Sequence, residues 1–262
     1  MKVIKHRLGD FEQLQILPLA DLHIGDLHSD GNKILEWLTY IENTDNCFTI
    51  LNGDLMDTAT RTSVGAGVYQ AALQPMEQLN QCVKLFGKIA SAGKVLAVCG
   101  GNHESRVFKQ DGLDTTQMMC NQLGLGELYS PTSAIVFVQF GDQGSHRNYY
   151  PMLYTIYCTH GSGAGGRLEG GKLNRLAQLA NIIDADIYVH SHTHTPMIMR
   201  NSYYRVDTRK CTSQKVDRLF VNTSASLDYS GSYGEFFSYK PNSLETPMIL
   251  LDGRKRGMRA VL

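Results

Sequence analysis

The sequence lacks long apolar runs, and it lacks an excess of charge of either sign. No run of about 18 apolar residues occurs, so no segment is long enough to span a membrane as a helix. The first residues, MKVIKHRLGDFEQ, contain no apolar core of signal-peptide length. Lysine plus arginine and aspartate plus glutamate number 25 each, so the formal net charge is zero. This balance gives no global electrostatic reason to expect binding to nucleic acid or to a membrane, although it does not exclude a local basic groove.

Closely spaced cysteine pairs are also absent. The six cysteines are scattered without a CxxC motif, and Cys99 and Cys158 lie inside apolar, strand-like runs. This pattern predicts buried, reduced thiols and a reducing, cytoplasmic setting. A chain of 262 residues buries enough surface to need no disulfides, and we expect a single domain over residues 1–262.

Strand-like and helix-like patterns alternate along the chain as far as residue 194. Apolar runs predict strands at 13–20, 47–52, 94–99, 153–158 and 186–190. Apolar residues at helical spacing predict helices between them, over 33–41, 74–92 and 173–183. Such an alternation predicts a layered α/β fold.

After Pro196 the pattern changes to short β-rich segments broken by Asn, Gly and Ser. These segments predict antiparallel strands and hairpins. We expect residues 197–262 to form a second sheet that packs on the motif-bearing core, residues 13–196. The segment 125–150 is rich in loop-forming residues, and we expect it to be a loop that covers the functional site.

Side chains of the types that hold metal ions follow each of the five predicted strands. The motifs are Asp21-Leu22-His23, Gly53-Asp54-Leu55-Met56-Asp57, Gly101-Asn102-His103-Glu104, Thr159-His160-Gly161 and Ser191-His192-Thr193-His194. Ligands of open α/β sheets bind outside the carboxyl ends of the strands, so we expect these side chains at one edge of one sheet. Carboxylate, imidazole and amide groups together suit divalent metal ions.

The number of these side chains indicates more than one ion. Asp21 and His23 are two residues apart, as are His192 and His194, so in an extended chain each pair would point to the same side. With Asp54, Asn102 and His160 the set has seven members. Seven ligands are too many for one tetrahedral site and suit two metals that share a carboxylate.

In order and spacing, the motifs resemble those of the calcineurin-like metallophosphoesterases, whose pattern is DxH, GDxxD, GNH[ED], a lone His and GHxH. The resemblance covers residues 21 to 194 and departs only where Ser191 replaces the glycine of the last motif. It implies a β-sandwich of two mixed sheets flanked by helices, with the site at the carboxyl ends of the strands. It also implies a hydrolase that cleaves phosphoesters with two divalent metal ions.

The resemblance assigns roles residue by residue. It places one metal on Asp21, His23 and His194, a second on Asn102, His160 and His192, and Asp54 as the bridge between them. A water that bridges the ions would be the nucleophile, His103 would be the general acid, and Asp57 would orient His103. Manganese is the metal we expect first, although zinc, iron and magnesium also suit these nitrogen and oxygen ligands.

A glycine-rich loop, residues 161–171, comes directly after the fourth motif. Its end, Gly166 to Lys172, fits GxxxxGK, but Leu173 stands where a nucleotide-binding P-loop has Ser or Thr, and no strand leads directly into it. We therefore interpret it as a loop beside the second metal. Arg167 and Lys172 are candidate contacts for substrate phosphate; the alternative is that both are solvated surface charges.

The residues after Asp57 indicate the class of substrate. Protein phosphatases of the resembled superfamily continue as GDxxDRG, with an arginine that grips a phosphate dianion, but here Thr58 and Ala59 take these places. The His that recombination nucleases carry at the position of Asp57 is absent too. The pattern favours a phosphodiesterase or nuclease, similar to phosphoesterases of phages and prophages, that acts on a nucleic acid or a nucleotide diester. The alternatives are a phosphomonoesterase and a non-catalytic interaction module on the same fold.

Overall fold

Two six-stranded mixed sheets form the centre of the protein in the computed structural model, which describes residues 1–60, 63, 71–141, 151–163 and 168–262. The first sheet contains, in spatial order, β1 (Lys2–Arg7), β6 (Ser133–Phe140), β7 (Met152–Thr159), β8 (Ile187–His190), β10 (Thr212–Asn222) and β9 (Met197–Asp207). The second contains β12 (Met258–Val261), β11 (Met248–Asp252), β2 (Gln13–Ile16), β3 (Cys47–Asn52), β4 (Val95–Cys99) and β5 (Tyr129–Ser130).

Helices cover the outer faces of both sheets. They are α1 (Gly31–Asn43), α2 (Pro75–Ser91), α3 (Glu104–Asp111), α4 (Thr115–Gln122), α5 (Glu169–Gln178) and α6 (Tyr233–Phe236), with short 3-10 turns at Gly126–Leu128 and Leu179–Asn181. The expected architecture, two mixed sheets flanked by helices, is confirmed. Within the described ranges, no helix has the length and apolar character needed to cross a bilayer.

The main core lies between the two sheets. Side chains from both sheets meet there, for example Ile50 and Leu96 from the second sheet and Val136 and Ile187 from the first. Every residue of β3 and of β4 is buried, because helices cover the face of these parallel strands that points away from the other sheet. This burial on two faces explains why both strands read as continuous apolar runs.

The predicted helices form where their apolar stripes find a sheet. In α1 the buried side chains are Ile34, Trp37, Leu38 and Ile41. The helix α2 ends before Gly93, whose φ of 69° suits glycine. On the opposite side of the molecule, Leu176 of α5 packs on Tyr157 of β7 and Tyr188 of β8.

Three expectations about the sheets are wrong. Residues 197–262 do not form a sheet of their own, because β9 and β10 extend the first sheet and β11 and β12 extend the second. The segment 125–150 contains β6, which pairs with both β1 and β7. The five motif-bearing strands are divided between the two sheets rather than lying in one. Periodicity along the chain shows that a segment is a strand, but strand pairing depends on contacts between distant residues.

All six cysteines are free, and all except Cys211 are buried. The Sγ atoms of Cys99 and Cys158 lie 3.7 Å apart in the core between the sheets. These positions agree with the buried thiols expected from the sequence.

Candidate metal centre

The five motifs meet at one end of the sandwich, where strands of both sheets terminate. Two groups of side chains have ligand atoms within 4.8 Å of one another: Asp21, His23 and His194 form the first, and Asp54, His160 and His192 form the second. Asn102 adjoins the second group, with its Oδ1 atom 3.0 Å from His160 Nε2. The structure therefore brings together all seven side chains that the sequence selected.

Asn52, the last residue of β3, joins the two sheets at this end. Its Nδ2 group donates to the Thr159 carbonyl oxygen at 2.9 Å and to Ser191 Oγ at 2.7 Å, both on the other sheet. Its carbonyl oxygen lies 2.9 Å from His160 Nδ1, which turns the Nε2 atom of that ring toward Asp54. The hydroxyl of Ser191, absent from a glycine, is thus part of the contact that aligns the two sheets.

The backbone at the ligands is not extended, so the expectation that an extended chain places Asp21 and His23 on the same side is wrong. Left-handed φ values occur at Asp21 (52°), His23 (46°), Asp54 (49°), His192 (69°) and His194 (54°). Such values are costly for residues with a side chain and persist only where surrounding contacts enforce them. Here, for example, the Asp21 N–H donates to the Gly53 carbonyl oxygen. The convergence of the ligands depends on these turns.

Two glycines allow the second and third motifs to touch. A Cβ at Gly101 would lie 2.1 Å from the backbone nitrogen of Asp54. At Gly53, which has a φ of 85°, a Cβ would lie 2.8 Å from His160 Nδ1. The glycines of GDxxD and GNHE are therefore required by close packing beside the ligands.

The buried carboxylates fit a cation. Asp21 is fully buried, and its Oδ2 accepts the His192 N–H at 3.0 Å. Its Oδ1 lies 3.2 Å from His194 Nε2 but accepts no hydrogen bond of good geometry from the described residues, and a buried carboxylate oxygen that is poorly satisfied is costly. A divalent ion at the Asp21, His23 and His194 group would satisfy this oxygen, so the donor set fits a metal there.

The electrostatics of the cluster agree with this fit. Burial and the nearby His103 ring lower the pKa of His23 to about 3, and burial and His160 lower the pKa of His192 to about 4. Both rings are therefore neutral near neutral pH, as metal ligands must be. Burial lowers the pKa of His160, but the Asp54 and Asp21 carboxylates outweigh this effect and raise it to about 10. Two buried carboxylates thus attract positive charge at this point.

His103 and Asp57 form the contact that the resemblance implied. His103 Nδ1 lies 3.1 Å from Asp57 Oδ1 and 2.9 Å from the Asp57 carbonyl oxygen. Burial lowers the pKa of His103, but the Asp54 charge and the hydrogen bond with Asp57 outweigh it and raise the pKa. His103 also belongs to a third close group, with His23 and Asp54, so its ring lies within reach of an ion.

His190 is not part of the cluster. Its Nδ1 lies 2.7 Å from Asn222 Oδ1, and the ring is buried against Gly161. This geometry makes His190 a hydrogen-bonded core histidine rather than a candidate ligand.

Glu104 has a larger role than its position in the sequence indicates. The sequence predicts only a residue that caps the turn after Asn102 and His103. Its buried carboxylate accepts four backbone N–H groups, with Oε1 bound to Leu55 and Met56 and Oε2 bound to Asp54 and Gly101. Burial and the Asp54 charge raise the pKa of Glu104 to about 7, while its backbone donors act in the opposite direction. Glu104 therefore holds the second motif against the third.

We expect Glu104→Gln to lower the free energy of unfolding by about 2–4 kcal/mol, because the glutamine NH2 group would face two of the four backbone donors. Urea unfolding followed by circular dichroism measures the effect. The control is Glu127→Gln, which changes an exposed glutamate and should shift the free energy by less than about 0.5 kcal/mol. Equal stability of the two variants would show that the Glu104 contacts do not hold the motifs together.

A cavity of about 860 Å³ opens above the ligands. One wall carries Arg106 of α3, and the opposite wall comes from the segment 227–243, including Tyr229 and Tyr239. Neither Arg106 nor this segment was selected from the sequence, because neither belongs to a motif. Lys172 does line the cavity, where its Nζ donates to Thr195 Oγ1. Arg167, the other candidate contact, lies outside the described residues.

Comparison with known proteins gives one family and several distant structures. Residues 22–196, more than half of the chain, match the model of the calcineurin-like phosphoesterase family. No curated protein sequence matches the chain significantly.

Two of the similar structures span nearly the whole chain. One is a conserved uncharacterized protein, a predicted phosphoesterase, from Streptococcus pneumoniae TIGR4 (13% identity, 95% of this chain and 97% of that chain, TM-score 0.36). Another is wild-type Vps29 complexed with Zn²⁺ from Entamoeba histolytica (14% identity, 95% and 98%, TM-score 0.27).

Proposed function

Since the chain belongs to the calcineurin-like phosphoesterase family and is a metal-dependent phosphoesterase, we propose that it hydrolyses phosphodiesters at a two-metal centre. The observation that carries the diester assignment is the cavity. The cavity has a volume of about 860 Å³ and is lined both by the candidate ligands and by residues of the segment 227–243. This space suits a phosphoryl group that carries a substituent on each side.

The residue after Asp57 supports the same assignment. Thr58 is fully buried, does not line the cavity, and its N–H donates to Gln78 Oε1 at 2.8 Å. Its position therefore supplies no cation to neutralise the second negative charge of a phosphomonoester. A diester carries one negative charge and needs less neutralisation.

The proposed chemistry divides between the metals and the protein. Two divalent ions, when bound, would polarise the phosphoryl group and make a water nucleophilic near neutral pH. Asp21, His23 and His194 would hold one ion, Asn102, His160 and His192 the other, and Asp54 both. His103 would donate a proton from Nε2 to the leaving oxygen, since Asp57 occupies its Nδ1 side. Without substrate, Nε2 accepts a hydrogen bond from Arg106 Nη2 at 2.9 Å, so Nε2 would carry the proton only after the guanidinium has turned to the substrate. Asp57 fixes the orientation of the ring.

We expect the protein, stripped by chelator and reloaded with manganese, to hydrolyse bis-p-nitrophenyl phosphate faster than p-nitrophenyl phosphate. Both reactions release the same chromophore, so the ratio of their kcat/KM values compares diester with monoester directly. Chelator should abolish both rates. Zinc, iron and magnesium are tested in the same assay, because the nitrogen and oxygen donors suit all four metals.

Each result leads to a different conclusion. Preference for the diester supports the proposal and calls for a panel of nucleic acids and cyclic nucleotides as candidate substrates. Preference for the monoester would make the protein a phosphomonoesterase instead. Hydrolysis of neither, with two ions still bound per chain, would reject a general phosphodiesterase and direct the search to a selective substrate.

A further inference from the structure

We propose that Arg106 binds a non-bridging oxygen of the substrate phosphoryl group. This inference rests on the proposed phosphoesterase site and identifies the residue of this chain that recognises its anionic substrate. It assigns Arg106 to substrate binding, whereas His103 remains the proposed proton donor.

The position of Arg106 follows from the helix that carries it. Arg106 lies three residues after His103 on α3, so the two side chains lie on the same face of the helix. Its Nη2 atom is 2.9 Å from His103 Nε2, and its Nη1 atom is 3.3 Å from Ser63 Oγ. The guanidinium therefore lines the cavity at the Nε2 side of His103, where the leaving oxygen of a substrate would lie.

The charge of Arg106 has no carboxylate partner in the described part of the chain. Its side chain contacts a histidine ring and a hydroxyl, although it is partly buried. Other arginines are paired with carboxylates: Arg200 with Asp217, Arg205 and Arg218 with Asp184, Arg254 with Glu12, and Arg256 with Asp186. Arg106 forms no direct ion pair among the described residues, although its charge contributes to lowering the pKa of the nearby Asp57. A partly buried guanidinium that lines a cavity and is not held by a carboxylate is suited to bind an anionic ligand.

Two lysines also line the cavity wall. Lys240 pairs with Glu169 at 2.6 Å, and Lys172 donates to Thr195 Oγ1. Arg106 is also the only arginine among the described residues that line the cavity. A phosphoryl group held by the ligand cluster would lie beside His103, whose Nε2 atom is 2.9 Å from Arg106 Nη2, so one of its oxygens would be within reach of the guanidinium.

The test compares Arg106→Met and Arg106→Lys with Lys109→Met, all loaded with manganese. Lys109 is exposed on the same helix and does not line the cavity, so its variant controls for loss of one positive charge. Inorganic phosphate is the probe, first as a competitive inhibitor of bis-p-nitrophenyl phosphate hydrolysis. We expect Arg106→Met to raise both the inhibition constant of phosphate and the KM by about 10- to 100-fold, because a charge-assisted contact is lost. Arg106→Lys should recover part of the loss, and Lys109→Met should match the wild type.

Two further readouts make the result decisive. Metal content and the unfolding midpoint should be unchanged in Arg106→Met. If that variant does not fold, Arg106→Lys provides the comparison, because lysine keeps the charge but loses the planar guanidinium. An unchanged inhibition constant together with a lower kcat would overturn the proposal, since Arg106 would then only position His103.

Calorimetric titration of phosphate into the manganese-loaded proteins separates this inference from the proposed function, because binding needs no turnover. Weaker binding by Arg106→Met would support the anion site even if no aryl phosphate were hydrolysed. Equal binding by the wild type and by Arg106→Met would reject the site whether or not the wild type hydrolysed diesters.

Discussion

Asp54→Asn is expected to empty both metal positions and to reduce kcat/KM by more than about 100-fold. Loss of a residue that only orients a metal ligand can already cost about 100-fold in activity, and Asp54 would be a ligand itself. Asp54 belongs to two of the three close ligand groups, one with His160 and His192 and the other with His23, which is itself a member of the Asp21, His23 and His194 group. Its Oδ2 lies 3.1 Å from His160 Nε2, and its Oδ1 accepts a hydrogen bond from the backbone N–H of His103 at 2.8 Å. The amide keeps the shape of the side chain but removes the negative charge that both ions would use.

Elemental analysis after gel filtration, combined with the diester assay, measures this effect. We expect the wild type to hold two ions per chain and Asp54→Asn to hold fewer than one. The control is Asp111→Asn at the exposed end of α3, which should retain both ions and full activity. Two ions and full turnover in Asp54→Asn would disprove the bridging assignment.

His103→Ala is expected to keep its metals and to lose about 100- to 10,000-fold in kcat, the range typical of a missing general acid. The reason is geometric: Asp57 contacts Nδ1, so Nε2, which accepts from Arg106 Nη2 in this structure, would carry the transferred proton once Arg106 has turned to the substrate. Asp57→Asn should cause a smaller loss, because it removes the residue that orients the ring and leaves the proton donor in place.

The leaving group makes this test specific. A nitrophenolate leaves without much help from an acid, whereas an alkoxide needs a proton. The loss caused by His103→Ala should therefore be larger for a diester with an alkyl leaving group than for bis-p-nitrophenyl phosphate. An equal loss for both would contradict the general-acid role. Loss of bound metal would instead make His103 a ligand, as its closeness to His23 and Asp54 allows.

The amino-acid sequence by itself determined the local elements and the identity of the candidate ligands. The strands β3 and β4 could be predicted from their continuous apolar runs, because they are buried on both faces. The apolar faces of α1 and α2 could be predicted from helical spacing, because burial of one helix face imposes a repeat on neighbouring residues. The seven candidate ligands could be selected because each comes after a strand, and polar side chains at strand ends converge in α/β folds.

Only the tertiary structure decided which strands share a sheet and which residues outside the motifs reach the site. Glu104 binds backbone groups about fifty residues earlier in the chain, and Asn52 bonds across to the other sheet. Tyr229 and Tyr239 line the same cavity as Arg106. These contacts join segments far apart in sequence, and no periodic pattern records them, because they depend on how the two sheets pack rather than on the local conformation of the chain.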